Sequence, residues 1–282
     1  MRLSTLQFLT FLTITNLPTC TPSTNPTPNP TQRQLQNRSK TFSIGIVLFP
    51  GYEPLDVIGP FEIFQSLSTY YPMTISFIAS TTGPIPSRPP PIILSPGQPP
   101  TTTDHIISMS LLATHTFSTA PKLDILLIPG GLGNMALVQQ NDTTIESFIT
   151  SRYGRLKYLL SVCSGSVVLA RSGVLKRKKA TTNKGHWRWI TQFGEGIRWV
   201  PSARWTRDGK IWTSSGVAAG MDMTYAFLEM LYGAQGGLTN VMNGIEYAPH
   251  TDPDWDPFSV VWNVPGADPQ GSVESCVKPI GW

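Results

Sequence analysis

The cysteine Cys163 stands where a strongly apolar run meets a string of small residues, in the stretch YLLSVCSGSVVLARSGVL. An apolar strand that ends at a nucleophile, followed at once by small residues and a helix, is the pattern of a nucleophile elbow. That turn exposes the side chain at the carboxyl edge of a sheet. Ser164, Gly165 and Ser166 allow the close backbone approach the turn requires. A helix N-terminus favours an anion, so the expectation is a depressed thiol pKa and an enriched thiolate. The alternative is a structural cysteine, since free cysteines are commonly buried. A second cluster, His250, Asp252, Asp254 and Asp256, has metal-ligand residue types. Its interleaved prolines, Pro249, Pro253 and Pro257, point instead to an irregular turn region, and no metal is assigned. There is neither a GxGxxG fingerprint after the first strand nor a P-loop, so no nucleotide cofactor is expected.

Elements able to position Cys163 alternate along the chain. Ser43–Phe49 is a short, almost wholly apolar run, as suits a strand buried on both faces. Leu55–Ser68 has helical spacing with Asp56 near its start, and Met73–Ala79 reads as a second strand. Lys122–Ile128 is a further buried strand running into Pro129-Gly130-Gly131, with a helix expected over 143–152. Tyr158–Val162 is strand-like and Gly165–Ser172 helical. Short strands follow at Ile197–Val200, Arg204–Arg207 and Lys210–Ser214, the first two as a hairpin or an edge. Helices are expected over Val217–Tyr232 and Gln235–Tyr247. Strands alternating with helices through short connections predict a mostly parallel sheet covered on both faces, an α/β three-layer sandwich of flavodoxin-like class.

The flanks differ in composition. Arg2 precedes an apolar stretch from Leu3 to Leu17, with a polar exit at Pro18, Thr19 and Cys20. Residues 1–19 have the outline of a secretory signal, which implies secretion; a disordered extension of a cytoplasmic protein is the alternative. The stretch is too short and too rich in threonine for a membrane-spanning helix. Residues 20–40, rich in Thr, Pro and Asn, read as a linker that cannot bury enough apolar surface to order itself. The folded domain then spans 41–282, with a Pro-rich surface insertion at 83–104. Three cysteines make no disulfide framework, although Cys20 and Cys276 could pair and leave Cys163 free.

Bulk composition narrows the function classes. A hydrophobic content of 40% with eight tryptophans supports a sizeable core. Net charge is +4, and the longest basic run, Lys176–Lys179, reads as a solvated helix end. With no nucleic-acid signature beside it, that run does not imply nucleic-acid binding.

SVCSGSVVLARSGVL, the strand end LLIPGG and the early segment FPGYEPLDVIGPFEIF together resemble the ThiJ/PfpI family, of the class I glutamine-amidotransferase-like fold. The similarity runs from about Ser43 to Tyr232, and GIEYAPHTDPDWDPF also resembles fungal members. Carried over by position, the resemblance makes Cys163 the nucleophile. It places backbone N–H groups of Gly131 and Ser164 in an anion-stabilising pocket shaped by Gly130. In the branch similar to isocyanide hydratase, an aspartate after the first strand exchanges protons with the cysteine, and PLDVIGP puts Asp56 there. A helix-capping role for Asp56 is the other reading.

Two departures matter. The protease- and glyoxalase-like branches carry a histidine directly after the cysteine, where this chain has Ser164; peptidase and glyoxalase activity are therefore disfavoured. Hydratase-like relatives read ATTHW, whereas ATTNKGHW here has Asn183 at the histidine position and His186 three residues on. Both are candidates for lining the pocket, with a helix-surface position for His186 equally open. The resemblance implies a cofactor-free lyase acting on a small electrophile, best described as hydration of an isocyanide to an N-substituted formamide, and a homodimer. A redox-sensing or binding protein with a reactive cysteine is the alternative from another class. A tailoring enzyme of fungal secondary metabolism is a third reading.

Overall fold

The computed structural model describes residues 28–94 and 97–270. The apolar N-terminal stretch, Cys20 and Cys276 lie outside them. Thr31 opens helix α1 (Gln32–Asn37) through a capping box with Gln34. Strand β1 (Phe42–Val47), helix α2 (Pro54–Leu67) and strand β2 (Met73–Ala79) follow, the helix starting at a proline whose fixed φ suits a first turn. Strands β3 (Gly83–Pro86), β4 (Ser110–Ala113) and β5 (His115–Thr116) lead into β6 (Ile125–Ile128). Helices α3 (Gly133–Gln139) and α4 (Thr144–Tyr153) precede β7 (Tyr158–Ser161) and α5 (Ser166–Arg171). The remainder comprises β8 (Lys179–Ala180), α6 (Trp187–Ile190), β9 (Arg198–Trp199), β10 (Trp205–Asp208) and β11 (Ile211–Ser214). Helices α7 (Val217–Tyr232), α8 (Gly237–Gly244) and α9 (Phe258–Val261) end it.

Seven strands form one sheet in the order β10-β11-β7-β6-β1-β2-β5. All neighbours are parallel except the β10–β11 pair at one edge. The central strands are mostly apolar because helices cover both faces: β6 and β7 are buried at every position. Helix α7 contacts α1, α2 and α8, α2 also contacts α8, and α4 contacts α5. The α/β sandwich expected from the alternation is therefore present. Parallel pairing also brings the carboxyl ends of β1, β6 and β7 to one edge, where ligands bind in open α/β sheets.

Three local readings are corrected. The linker assigned to 20–40 ends in α1, where Asn37 is buried and donates to Leu231 O while Gln34 donates to Glu229 O. Side-chain amides reaching the carbonyls at the end of α7 order a segment with little apolar surface. The insertion 83–104 opens with β3, which pairs antiparallel with β4 beyond its end, and Ile85 and Ile92 within it are buried. The edge hairpin joins the second and third of the late strands, β10 and β11, while β9 pairs in parallel with β8.

Candidate active site

The turn after β7 places Cys163 where the sequence expects it, and at a backbone cost. Val162 is extended, and Cys163 then takes φ +56° in the left-handed region, which β-carbon sterics disfavour for any residue but glycine. Residues Cys163–Gly165 form a single 3-10 turn before α5. Its neighbour across the sheet edge is the loop after β6. A β-carbon at Gly130 would lie 2.6 Å from Ser164 N and 2.8 Å from both Cys163 Cβ and Asp56 Oδ2, so only glycine fits between these three groups.

Asp56 reaches the same point from the first turn of α2. Its Oδ2 accepts the Gly130 N–H at 2.7 Å, and the Glu53 N–H donates to Gly130 O at 2.8 Å. These two bonds lock the start of α2 to the glycine loop. The capping reading of Asp56 fails, because its carboxylate bonds to Gly130 and the N-cap position is Glu53. The carboxyl is wholly buried, and Oδ1 has no hydrogen-bond partner among the described residues. Burial raises its pKa from an ordinary 3.8 to about 8, against the Gly130 N–H; the charge of Glu53 raises it further, and the Cys163 thiol lowers it.

The expected depression of the thiol pKa is reversed. Burial pushes the Cys163 thiol well above its ordinary value, and the negative charge of Asp56 adds to this. The Ser164 N–H and the Asn183 amide act in the opposite direction. The helix after the turn is only six residues long, and these two donors do not offset the desolvation of an enclosed sulfur. Two buried acids thus face each other: the charge of Asp56 raises the cost of ionising the thiol, while the thiol eases ionisation of Asp56.

Asn183 approaches from the segment after β8, with Nδ2 donating to Cys163 Sγ at 3.1 Å. Its Oδ1 accepts the His186 N–H at 3.0 Å and lies 3.2 Å from His186 Nδ1, which fixes the amide with its donor end toward sulfur. Thr182 Oγ1 donates to Cys163 O at 3.1 Å and accepts from Ser166 Oγ at 2.6 Å, tying this segment to the elbow. His186 and Asn183 both line a cavity of about 130 Å³ over Cys163, with Glu53, Leu132, Trp189 and Val217 among the other walls. His186 is also the N-cap of α6, so its two readings coincide.

The two-donor anion pocket is only partly formed. Ser164 Oγ accepts the Gly131 N–H at 2.9 Å and Asn134 Nδ2 at 3.2 Å, so the Gly131 donor is already engaged. The Ser164 N–H remains directed at the sulfur. Glu53, Asn134 and Thr182 were not singled out from sequence. The acidic cluster near the end is dispersed: Asp256 is buried 3.6 Å from Arg204, and the His250 N–H donates to Asp222.

Comparison with known proteins follows the same outline. The model of the DJ-1/PfpI family matches residues 42–230. The chain is 30% identical over 224 residues to an isonitrile hydratase of Pseudomonas putida, covering 77% of this chain and 86% of that protein. Among solved structures, a ThiJ/PfpI family protein from Pseudomonas syringae superposes with a TM-score of 0.61 at 27% identity, over 85% of this chain and 89% of that one. Drosophila melanogaster DJ-1beta gives 0.58 at 17% identity, over 74% and 100%, a likeness of fold alone.

Proposed function

We propose that this chain, which belongs to the DJ-1/PfpI family, is a cysteine-dependent hydratase that converts an isocyanide into an N-substituted formamide. One observation carries the reading: a wholly buried carboxyl, pinned at Oδ2 and unpartnered at Oδ1, faces the Cys163 thiol with no histidine following the cysteine. The likeness to an isonitrile hydratase supports the substrate class.

The Asp56 carboxylate takes the thiol proton, and the sulfur attacks the terminal carbon of the isocyanide, forming a C–S bond. Asp56 returns the proton to that carbon, giving a thioimidate, R–N=CH–S. Water then adds across the C=N bond, its oxygen to carbon and one proton to nitrogen. Collapse to the C=O breaks the C–S bond, and the remaining proton goes back to the sulfur–carboxyl pair. Charge that develops on sulfur is met by Asn183 Nδ2 and the Ser164 N–H.

The redox-sensing alternative is weaker, because peroxide reacts with accessible thiolates. Cys163 is 6% exposed and its thiol is pushed upward. The test is a panel of isocyanides incubated with purified protein, with formamide measured and Cys163→Ala as control. Formamide production that disappears in the variant is expected. No production, while Cys163 still reacts with an alkylating probe, would overturn the reading.

A further inference from the structure

A second cavity, of about 310 Å³, adjoins the first, and the two share Asn183 and Val217 in their walls. Its floor is polar. Ser215 and Asp256 line it and are wholly buried, and Ser215 Oγ and Asp256 Oδ2 have no hydrogen-bond partner among the described residues. Buried polar atoms left unpaired are uncommon, and each calls for a partner.

The cations on the same floor are already engaged. Arg204 holds Asp222 Oδ2 through both Nε and NH2 at 2.6 Å, and Lys184 Nζ donates to Thr181 Oγ1 at 2.8 Å and Ala203 O at 2.7 Å. What remains open is a carboxylate oxygen and a hydroxyl, so the missing partner is a hydrogen-bond donor and not an anion. The facing wall is apolar. Phe258 and Trp262 line it with about half of each side chain exposed, and both lie beyond residue 230, where the match to the family ends. This wall is therefore built by a segment outside the stretch that the family model matches.

We infer that this second cavity is the subsite for the substituent on the substrate nitrogen, and that it selects an aromatic group carrying a hydrogen-bond donor such as a phenolic hydroxyl. The reacting carbon lies at Cys163, the chain passes Asn183 and Val217, the ring rests against Phe258 and Trp262, and the hydroxyl meets Asp256 Oδ2 and Ser215 Oγ. The identity of the reacting group rests on the hydratase reading, whereas the shape and polarity of the subsite do not.

The test therefore uses a different reaction of the same sulfur. Cys163 is alkylated with iodoacetamide, N-phenyl iodoacetamide or N-(4-hydroxyphenyl) iodoacetamide; sulfur displaces iodide and the thiol proton passes to solvent. Rates at Cys163 are read by mass spectrometry and divided by the rate of each reagent with a free small thiol. The hydroxyphenyl reagent is expected to exceed iodoacetamide by about tenfold, the N-phenyl reagent falling between them. The preference should collapse toward one in Phe258→Ala/Trp262→Ala, whose side chains are each about half exposed. In Ser215→Ala only the hydroxyl increment should disappear. Equal normalised rates in the unaltered protein, or a preference untouched by the double variant, would overturn the subsite. Preserved selectivity without isocyanide hydration would instead remove the hydratase reading and leave the subsite standing.

Discussion

Asn183 Nδ2 lies 3.1 Å from Cys163 Sγ, and the other end of the same amide is held by the backbone and ring of His186. The donor is therefore aimed at sulfur before any substrate arrives, which is how preorganised groups stabilise charge at no reorganisation cost. Asn183→Ala is expected to slow isocyanide hydration by ~10²-fold, the scale seen when one such donor is removed. His186→Ala, which only frees the amide to rotate, should cost a smaller factor. Steady-state rates for the two variants check the order; an Asn183→Ala rate equal to the unaltered protein's would sink the assignment.

Proton transfer and nucleophilicity separate at Asp56. Asp56→Asn keeps an oxygen to accept the Gly130 N–H but cannot relay a proton. Hydration should fall by ~10²–10⁴-fold. Alkylation of Cys163 by iodoacetamide above pH 8 should persist or rise, because the carboxylate charge that opposes the thiolate is gone. Parallel loss of both reactions would show that the substitution has damaged the pocket instead.

The pair also dictates a pH profile. Below pH 8 the Asp56 carboxyl and the Cys163 thiol are both protonated, and no base stands ready for the thiol proton. The reactive form is the pair with one proton removed, whichever atom retains the other. The hydration rate should rise about tenfold per pH unit and level off near pH 8, following a single titration. A profile already flat at pH 6 would contradict the buried carboxyl.

Stability should respond with a definite sign. Because the folded pKa of Asp56 is raised, the folded chain keeps a proton that the unfolded chain releases between about pH 4 and pH 8. This group therefore lowers stability as pH rises through that window, by about 1.4 kcal/mol per unit. Asp56→Asn is expected to melt at a higher temperature than the parent at pH 7, with a gap that narrows toward pH 4. Thermal melts at the two pH values decide it; a gap that widens on acidification would be the wrong sign.

Close packing at the glycine loop yields a fifth expectation, for activity and fold together. In Gly130→Ala the new methyl meets Ser164 N at 2.6 Å and Cys163 Cβ at 2.8 Å, both parts of the strained elbow. Overpacking of this kind costs about 1–3 kcal/mol, and the elbow must move to relieve it. Chemical denaturation and hydration assays should show a modest stability loss beside a near-complete loss of turnover.

Much of this architecture was legible from the chain. Strand β2 at Met73–Ala79 and helix α7 at Val217–Tyr232 have the bounds read from their apolar patterns, and the elbow follows from an apolar strand end beside SGS. These features are encoded by adjacent residues, because periodicity and turn chemistry act over a few positions. What the tertiary structure alone decided involves groups brought together from far apart. The charge preference of Cys163 runs opposite to the helix-start argument because enclosure of the sulfur beside Asp56 outweighs two donors. The Gly131 N–H is taken by a hydroxyl 33 residues away, and the amide facing the sulfur comes from 20 residues downstream. Desolvation and hydrogen-bond partnership depend on what surrounds a group in space, so the turn that holds Cys163 could be read from sequence while the protonation and partners of its thiol could not.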